Sequence, residues 1–120
     1  MLQGLRTVIY PVTDTEKAKK FYTALTGVEP YYDQPYYIGY NVGGFELGLD
    51  PNRAVPSSEG GQLGYWHVAN IEEAHAKALS IGAKKRGEIQ DVGEGIKVVA
   101  VEDPFGNPIG LMYDPSHKTV

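Results

Sequence analysis

Two side chains in this sequence combine proton chemistry with a place on a strand-like run: Glu46 in FELGLDP and His67 in YWHVAN. A carboxylate within hydrogen-bond reach of a carbon next to a carbonyl can take its proton, provided that another group holds the enolate oxygen. An imidazole titrates near neutrality and serves as a base or as a hydrogen-bond donor. Glu46 and His67 are therefore the candidate catalytic residues. Each also has a plainer reading, as a hydrogen-bonded or partly exposed strand carboxylate and as a structural strand histidine. The tyrosines of YYDQPYY, residues 31–37, bring rings that can stack on a planar ligand, although packing along a strand edge is the simpler role for any single one. His75, on a helix flank, and His117, in the tail, read as solvated, and Trp66 reads as core.

Other chemistries find no support. The chain has no cysteine, which excludes disulfides, thiolate metal sites and a cysteine nucleophile. Gly43-Gly44 and Gly60-Gly61 lack the spacing and the following capped helix of a phosphate loop, and no Ser-His-Asp or HExxH pattern occurs. With a net charge of −4 and Lys84-Lys85-Arg86 as its basic run, the chain is not expected to bind nucleic acid. No apolar stretch approaches the ~20 residues of a membrane span, and MLQGLRTVIYPVTD lacks the charged-then-apolar layout of a secretory signal, so no membrane association and a cytoplasmic location are expected.

The elements that must position these residues come in two similar sets. Thr7 to Val12 reads as a strand, Asp14 or Thr15 caps a helix carrying Ala18, Phe21, Tyr22 and Leu25 inward, and Gly27 closes it. An extended stretch near 28–32, a break at Gln34-Pro35, and the strands 36–42 and 45–49 joined through Gly43-Gly44 complete a βαβββ order. The second set runs through a strand at 63–68, the cap Asn70, a helix carrying Ile71, Ala74, Ala78 and Leu79, and closure at Gly82. An extended segment from Ala83 to about Gln90 and strands at 96–101 and 109–113 follow, with the turn Asp103-Pro104-Phe105-Gly106-Asn107 before the last. Val12-Thr13-Asp14 matches Val68-Ala69-Asn70 at an offset of 56, and residues 46–51 match 110–115 at an offset of 64, so about eight extra residues lie between helix and last strand in the second copy.

The 120 residues thus form one α+β domain of two tandem βαβββ modules: module one at 5–51, a Gly/Ser/Pro-rich linker at 52–62, module two at 63–115 and a tail at 116–120. A module of ~55 residues buries too little surface to be comfortable alone and leaves a strand edge open, so the two sheets are expected to pair, with helices on their outer faces and a cavity between the inner ones.

In its strand-cap-helix openings VIYPVTDTEKAKKFYTALTGVEP and WHVANIEEAHAKALSIGA, in FELGLDP, and above all in VEDPFGNPIGLMYDP, the chain resembles the vicinal oxygen chelate superfamily of glyoxalase I, bleomycin-resistance proteins and extradiol dioxygenases. In the metalloenzymes of that superfamily, His and Glu on the first and last strands of each module hold a divalent metal that chelates two adjacent substrate oxygens. The matching positions here are Thr7, Glu46, Leu63 and Gly110. Only Glu46 is a strong ligand, so the resemblance implies a member with no metal and no other cofactor.

If Leu63 marks the cavity-facing position, alternation puts Tyr65 and His67 inward with it, and Thr7, Ile9 and Pro11 inward in module one. Across the Gly43-Gly44 turn, Asn41 opposes Glu46 and Gly39 opposes Gly48, which brings Tyr37 onto the same face. The expected ligand-binding residues are Thr7, Ile9, Tyr37, Asn41, Tyr65 and Met112. The reading is a metal-free binder of a small molecule, expected as a homodimer. Its alternative is a glyoxalase-like lyase or isomerase with Glu46 as base, or with an atypical divalent metal site.

Overall fold

The computed structural model describes residues 1–53 and 63–117. Most of the expected linker and the last three residues of the tail lie outside the described residues. The chain falls into two compact units, one holding the elements of each module.

In the first unit, β1 (Thr7–Pro11) leads to α1 (Thr15–Thr26), then β2 (Tyr32–Gln34), β3 (Tyr37–Val42) and β4 (Phe45–Asp50). The sheet order is β1-β4-β3-β2, with β1 parallel to β4 and the other pairs antiparallel. The Asp14 side chain caps α1 by accepting from the Lys17 N–H, and Gly27 ends it in the left-handed region at φ 75°. Gly43 and Gly44, at φ 62° and 92°, form the two-residue turn of the β3–β4 hairpin. The core lies between sheet and helix. Tyr10 stacks on Tyr22 with centroids 5.5 Å apart. Ile38, Tyr40, Leu47 and Leu49 are buried beside them. The buried Tyr40 hydroxyl is satisfied by Thr23 Oγ1 at 2.9 Å and the Lys19 carbonyl at 3.2 Å, so this phenol stitches β3 to α1 without an orphaned polar group.

The second unit runs β5 (Tyr65–His67), α2 (Ile71–Ser80), β6 (Lys84–Lys85), β7 (Gln90–Gly93), β8 (Ile96–Glu102) and β9 (Pro108–Tyr113). Its sheet order is β5-β9-β8-β6, and β7 lies beside β8 as well. Here the eight extra residues find their place. The single extended segment expected from Ala83 is two short strands along one edge of β8, β6 against Val101 and Glu102 and β7 against Ile96 to Val98. Gly87, at φ 133°, breaks the run between them.

Two further expectations need correction. The opening strand begins at Tyr65 rather than Leu63, and its register places Tyr65, not Leu63, opposite Gly110. His75 is buried rather than solvated, because Ile71, His75 and Ala78 fall at i, i+4 and i+7 on the stripe of α2 that faces the sheet. Its Nε2 has no hydrogen-bond partner among the described residues. His117 is exposed, as expected, and its ring stacks on that of His67.

The turn from Asp103 to Asn107 is held by the buried Asp103 carboxylate. One oxygen accepts from the Phe105 and Asn107 N–H groups at 2.8 Å each, and the other from Asn107 Nδ2 at 2.7 Å. A charge with 0% exposure is tolerable only with such a set of donors, and the set fixes where β9 starts.

Candidate functional site

Strand alternation divides the first sheet cleanly. Tyr10, Ile38, Tyr40, Leu47 and Leu49 face α1, and the opposite face carries Thr7, Ile9, Tyr37, Gly39, Asn41, Glu46 and Gly48. Register then brings partners together. Glu46 lies opposite Thr7 on β1 and Asn41 on β3, Gly48 lies opposite Ile9 and Gly39, and Tyr32 of β2 lies opposite Gly39.

The two glycines clear a floor beneath two tyrosines. A Cβ at Gly48 would stand 2.0 Å from the Tyr37 hydroxyl oxygen, and one at Gly39 would stand 3.3 Å from the Tyr31 ring. With nothing but backbone below them, both rings lie across the sheet and their hydroxyls converge on Glu46. Tyr31 donates to Oε1 and Tyr37 to Oε2. These two bonds are the largest cause holding the Glu46 carboxyl below its ordinary value, with the Arg6 charge adding in the same direction. The bonds act reciprocally. Burial first, then the bond to Glu46, pushes the Tyr37 phenol up, and the Glu46 bond pushes up that of Tyr31. At neutral pH the arrangement is thus a fixed carboxylate with two neutral phenol donors.

The remaining expected residues are placed as follows. Thr7 accepts from Arg6 Nη1 at 2.9 Å through its hydroxyl, and Ile9 lies on the same face, partly exposed. The Asn41 carbonyl oxygen accepts from the Gly44 N–H at 2.9 Å, so half of its amide serves the hairpin. Tyr65, His67 and Met112 belong to the second sheet. The Tyr65 ring crosses Gly110, where a Cβ would stand 2.6 Å from Tyr65 Cδ1, and Met112 lies opposite His67. The imidazoles of His67 and His117 stack 4.0 Å apart at 13°. The eight expected site residues therefore form two groups, one on each sheet.

Sequence reasoning did not foresee that Tyr31 and Tyr37 bind Glu46. The available signal was the pair Gly39 and Gly48, which face each other across a predicted hairpin within reach of YYDQPYY. Paired strand glycines on one face leave room for a large side chain to lie flat.

A family model of the Glyoxalase/Bleomycin resistance protein/Dioxygenase superfamily matches residues 4–111. The chain belongs to this superfamily. Among solved structures, a glyoxalase-related enzyme from Fulvimarina pelagi is 22% identical with a TM-score of 0.76, over 95% of this chain and 90% of that one. The fosfomycin resistance protein FosX from Listeria monocytogenes is 14% identical with a TM-score of 0.79, over 97% of each chain. TioX from Micromonospora sp. ML1 is 17% identical with a TM-score of 0.72, over 92% of this chain and 98% of that one. At these identities the likeness is one of fold. A comparison with curated proteins gives no match.

The superfamily's metal positions can be tested against this member's donors. Register pairs Thr7 with Glu46 and Tyr65 with Gly110, so three of the four positions carry neither imidazole nor carboxylate. Both oxygens of the fourth already accept phenol protons. Among the described residues no group of three or more His, Asp or Glu is arranged to hold a metal ion, and no helix is long and apolar enough to cross a membrane. The donor set does not fit the superfamily's divalent metal.

Proposed function

We propose that this superfamily member binds a small organic molecule on the Glu46 face without a resident metal, and that Glu46 recognises the ligand rather than abstracting a proton from it. The observation that carries this reading is the double phenol clamp on Glu46. A general base works best with a pKa near the working pH, and the clamp moves Glu46 away from that range. Recognition gains from the same feature, because a carboxylate held by two donors is ionised and oriented before the ligand arrives. Relatives named for bleomycin and fosfomycin resistance fit a fold that handles small molecules. A homodimer and a cytoplasmic location remain part of the reading.

Elemental analysis of protein purified without chelator, together with thermal-shift screening of a panel of small organic molecules, tests it. Substoichiometric metal and hits that weaken in Glu46→Gln are expected. Stoichiometric zinc, nickel, manganese or iron that is lost in Glu46→Gln would overturn it.

A further inference from the structure

Glu46 sits at the border of a larger aromatic surface. The Tyr32 and Tyr36 rings lie 6.2 Å apart at 65°, and Tyr32 and Tyr37 lie 6.3 Å apart at 55°, so neighbouring rings meet as walls at an angle rather than as a flat stack. Three of these tyrosines are well exposed: Tyr31 at 60%, Tyr36 at 56% and Tyr32 at 38%. Their hydroxyls are tied down. Tyr31 and Tyr37 donate to Glu46, and the hydroxyls of Tyr32 and Tyr36 are bonded to each other. Of four phenol protons, three are therefore committed within the surface.

What remains for a ligand is one-sided. Each carboxylate oxygen of Glu46 accepts one phenol proton and keeps a further lone pair. The tyrosines present π faces, which carry negative potential. Uncommitted donors are few, and the one charge of opposite sign felt at Glu46, that of Arg6, donates a hydrogen bond to Thr7 and makes no ion pair with the carboxylate. An anion would meet Glu46 head-on, and a neutral acceptor would find little to bind. A cation finds both a carboxylate and ring faces.

We infer that the ligand of this face is an organic cation, an ammonium or amidinium group on a small apolar body, with its N–H groups or charge at Glu46 and its body against Tyr32, Tyr36 and Tyr37. This rests on the small-molecule reading above and narrows it to a charge class.

Benzamidine, benzamide and benzoate have nearly the same shape and carry positive, zero and negative charge. Titrating each into the full chain, with calorimetry for affinity and NMR of the tyrosine ring resonances for location, tests the inference. Benzamidine should bind about tenfold or more tighter than benzamide, and benzoate should bind weakest. Glu46→Gln should remove that preference, Tyr32→Leu should weaken benzamidine, and Arg6→Ala should strengthen it by removing a competing positive charge. The Arg6 and Tyr32 variants keep the test decisive if Glu46→Gln folds poorly. Benzamide or benzoate shifting the tyrosine resonances at least as strongly as benzamidine would overturn the cation while leaving a small-molecule site in place. No response of these resonances to any of the three would overturn both.

Discussion

Each unit has a tyrosine ring over a closing-strand glycine, and the two differ at the closing-strand position that is Glu46 in the first and Gly110 in the second. In each, a tyrosine lies across a glycine of the closing strand: Tyr37 across Gly48 in the first, Tyr65 across Gly110 in the second. In the first unit the glycine lies two residues beyond Glu46, so the phenol reaches back to a carboxylate. In the second, Gly110 itself occupies the position that matches Glu46, and the tyrosine covers backbone where the other binds an anion. The two rings come from different strands of the repeat, Tyr37 from β3 and Tyr65 from β5, the counterpart of β1. One face carries a carboxylate held by two phenols, and the other pairs an aromatic cover with stacked imidazoles.

The contrast predicts a graded response to filling each space. At Gly110 an added methyl would meet the Gly64 carbonyl at 2.7 Å as well as the base of the Tyr65 ring, and neither can retreat without moving β5. Gly110→Ala should therefore cost about 2–3 kcal/mol in urea unfolding. At Gly48 the obstacle is the tip of Tyr37, which can swing away. Gly48→Ala should cost about 1 kcal/mol or less, while detaching Tyr37 from Glu46. Equal costs at the two sites would break the comparison.

Acid should sharpen it further. Folding lowers the Glu46 carboxyl below its ordinary value of 4.5, so the folded state favours the ionised form. That stabilisation is fully present above pH 4.5 and is lost as the pH falls through the folded value. The wild type should therefore be more stable than the double variant Tyr31→Phe/Tyr37→Phe at neutral pH, and the gap should close in acid. Unfolding curves at several pH values check this. The smallest effect belongs to the second face, where the exposed rings of His67 and His117 stack. His117→Ala should change stability by no more than about 0.5 kcal/mol, as read by the same unfolding curves.

How much of this was legible beforehand depended on how local each signal was. The strands and helices followed from periodicity and from the caps Asp14, Gly27 and Asn70, all of which act within one turn of helix. Asn41 opposite Glu46 followed from a two-residue Gly-Gly turn that permits one register. Tyr65 opposite Gly110 did not, because the helix-cap offset of 56 carries Thr7 onto Leu63, whereas the strand pairing matches Thr7 with Tyr65, two residues further on. A shift of two preserves the face, so Tyr65 and His67 share one side under either pairing. His75 reads as solvated from the sequence because Ala74 competes with it for the same stripe of α2, and the packing of α2 on the sheet decides between them. The clamp on Glu46 was hidden for another reason: Tyr31 precedes β2, and no strand pattern says where its ring falls.

The most direct test of the account is an NMR titration of the Glu46 side-chain carboxyl in the wild type and in Tyr31→Phe/Tyr37→Phe. A value below the ordinary 4.5 in the wild type, rising when both hydroxyls are removed, is the predicted result. An ordinary value in the wild type that does not move in the double variant would contradict the clamp, and with it the reading of this face as a preformed anionic site.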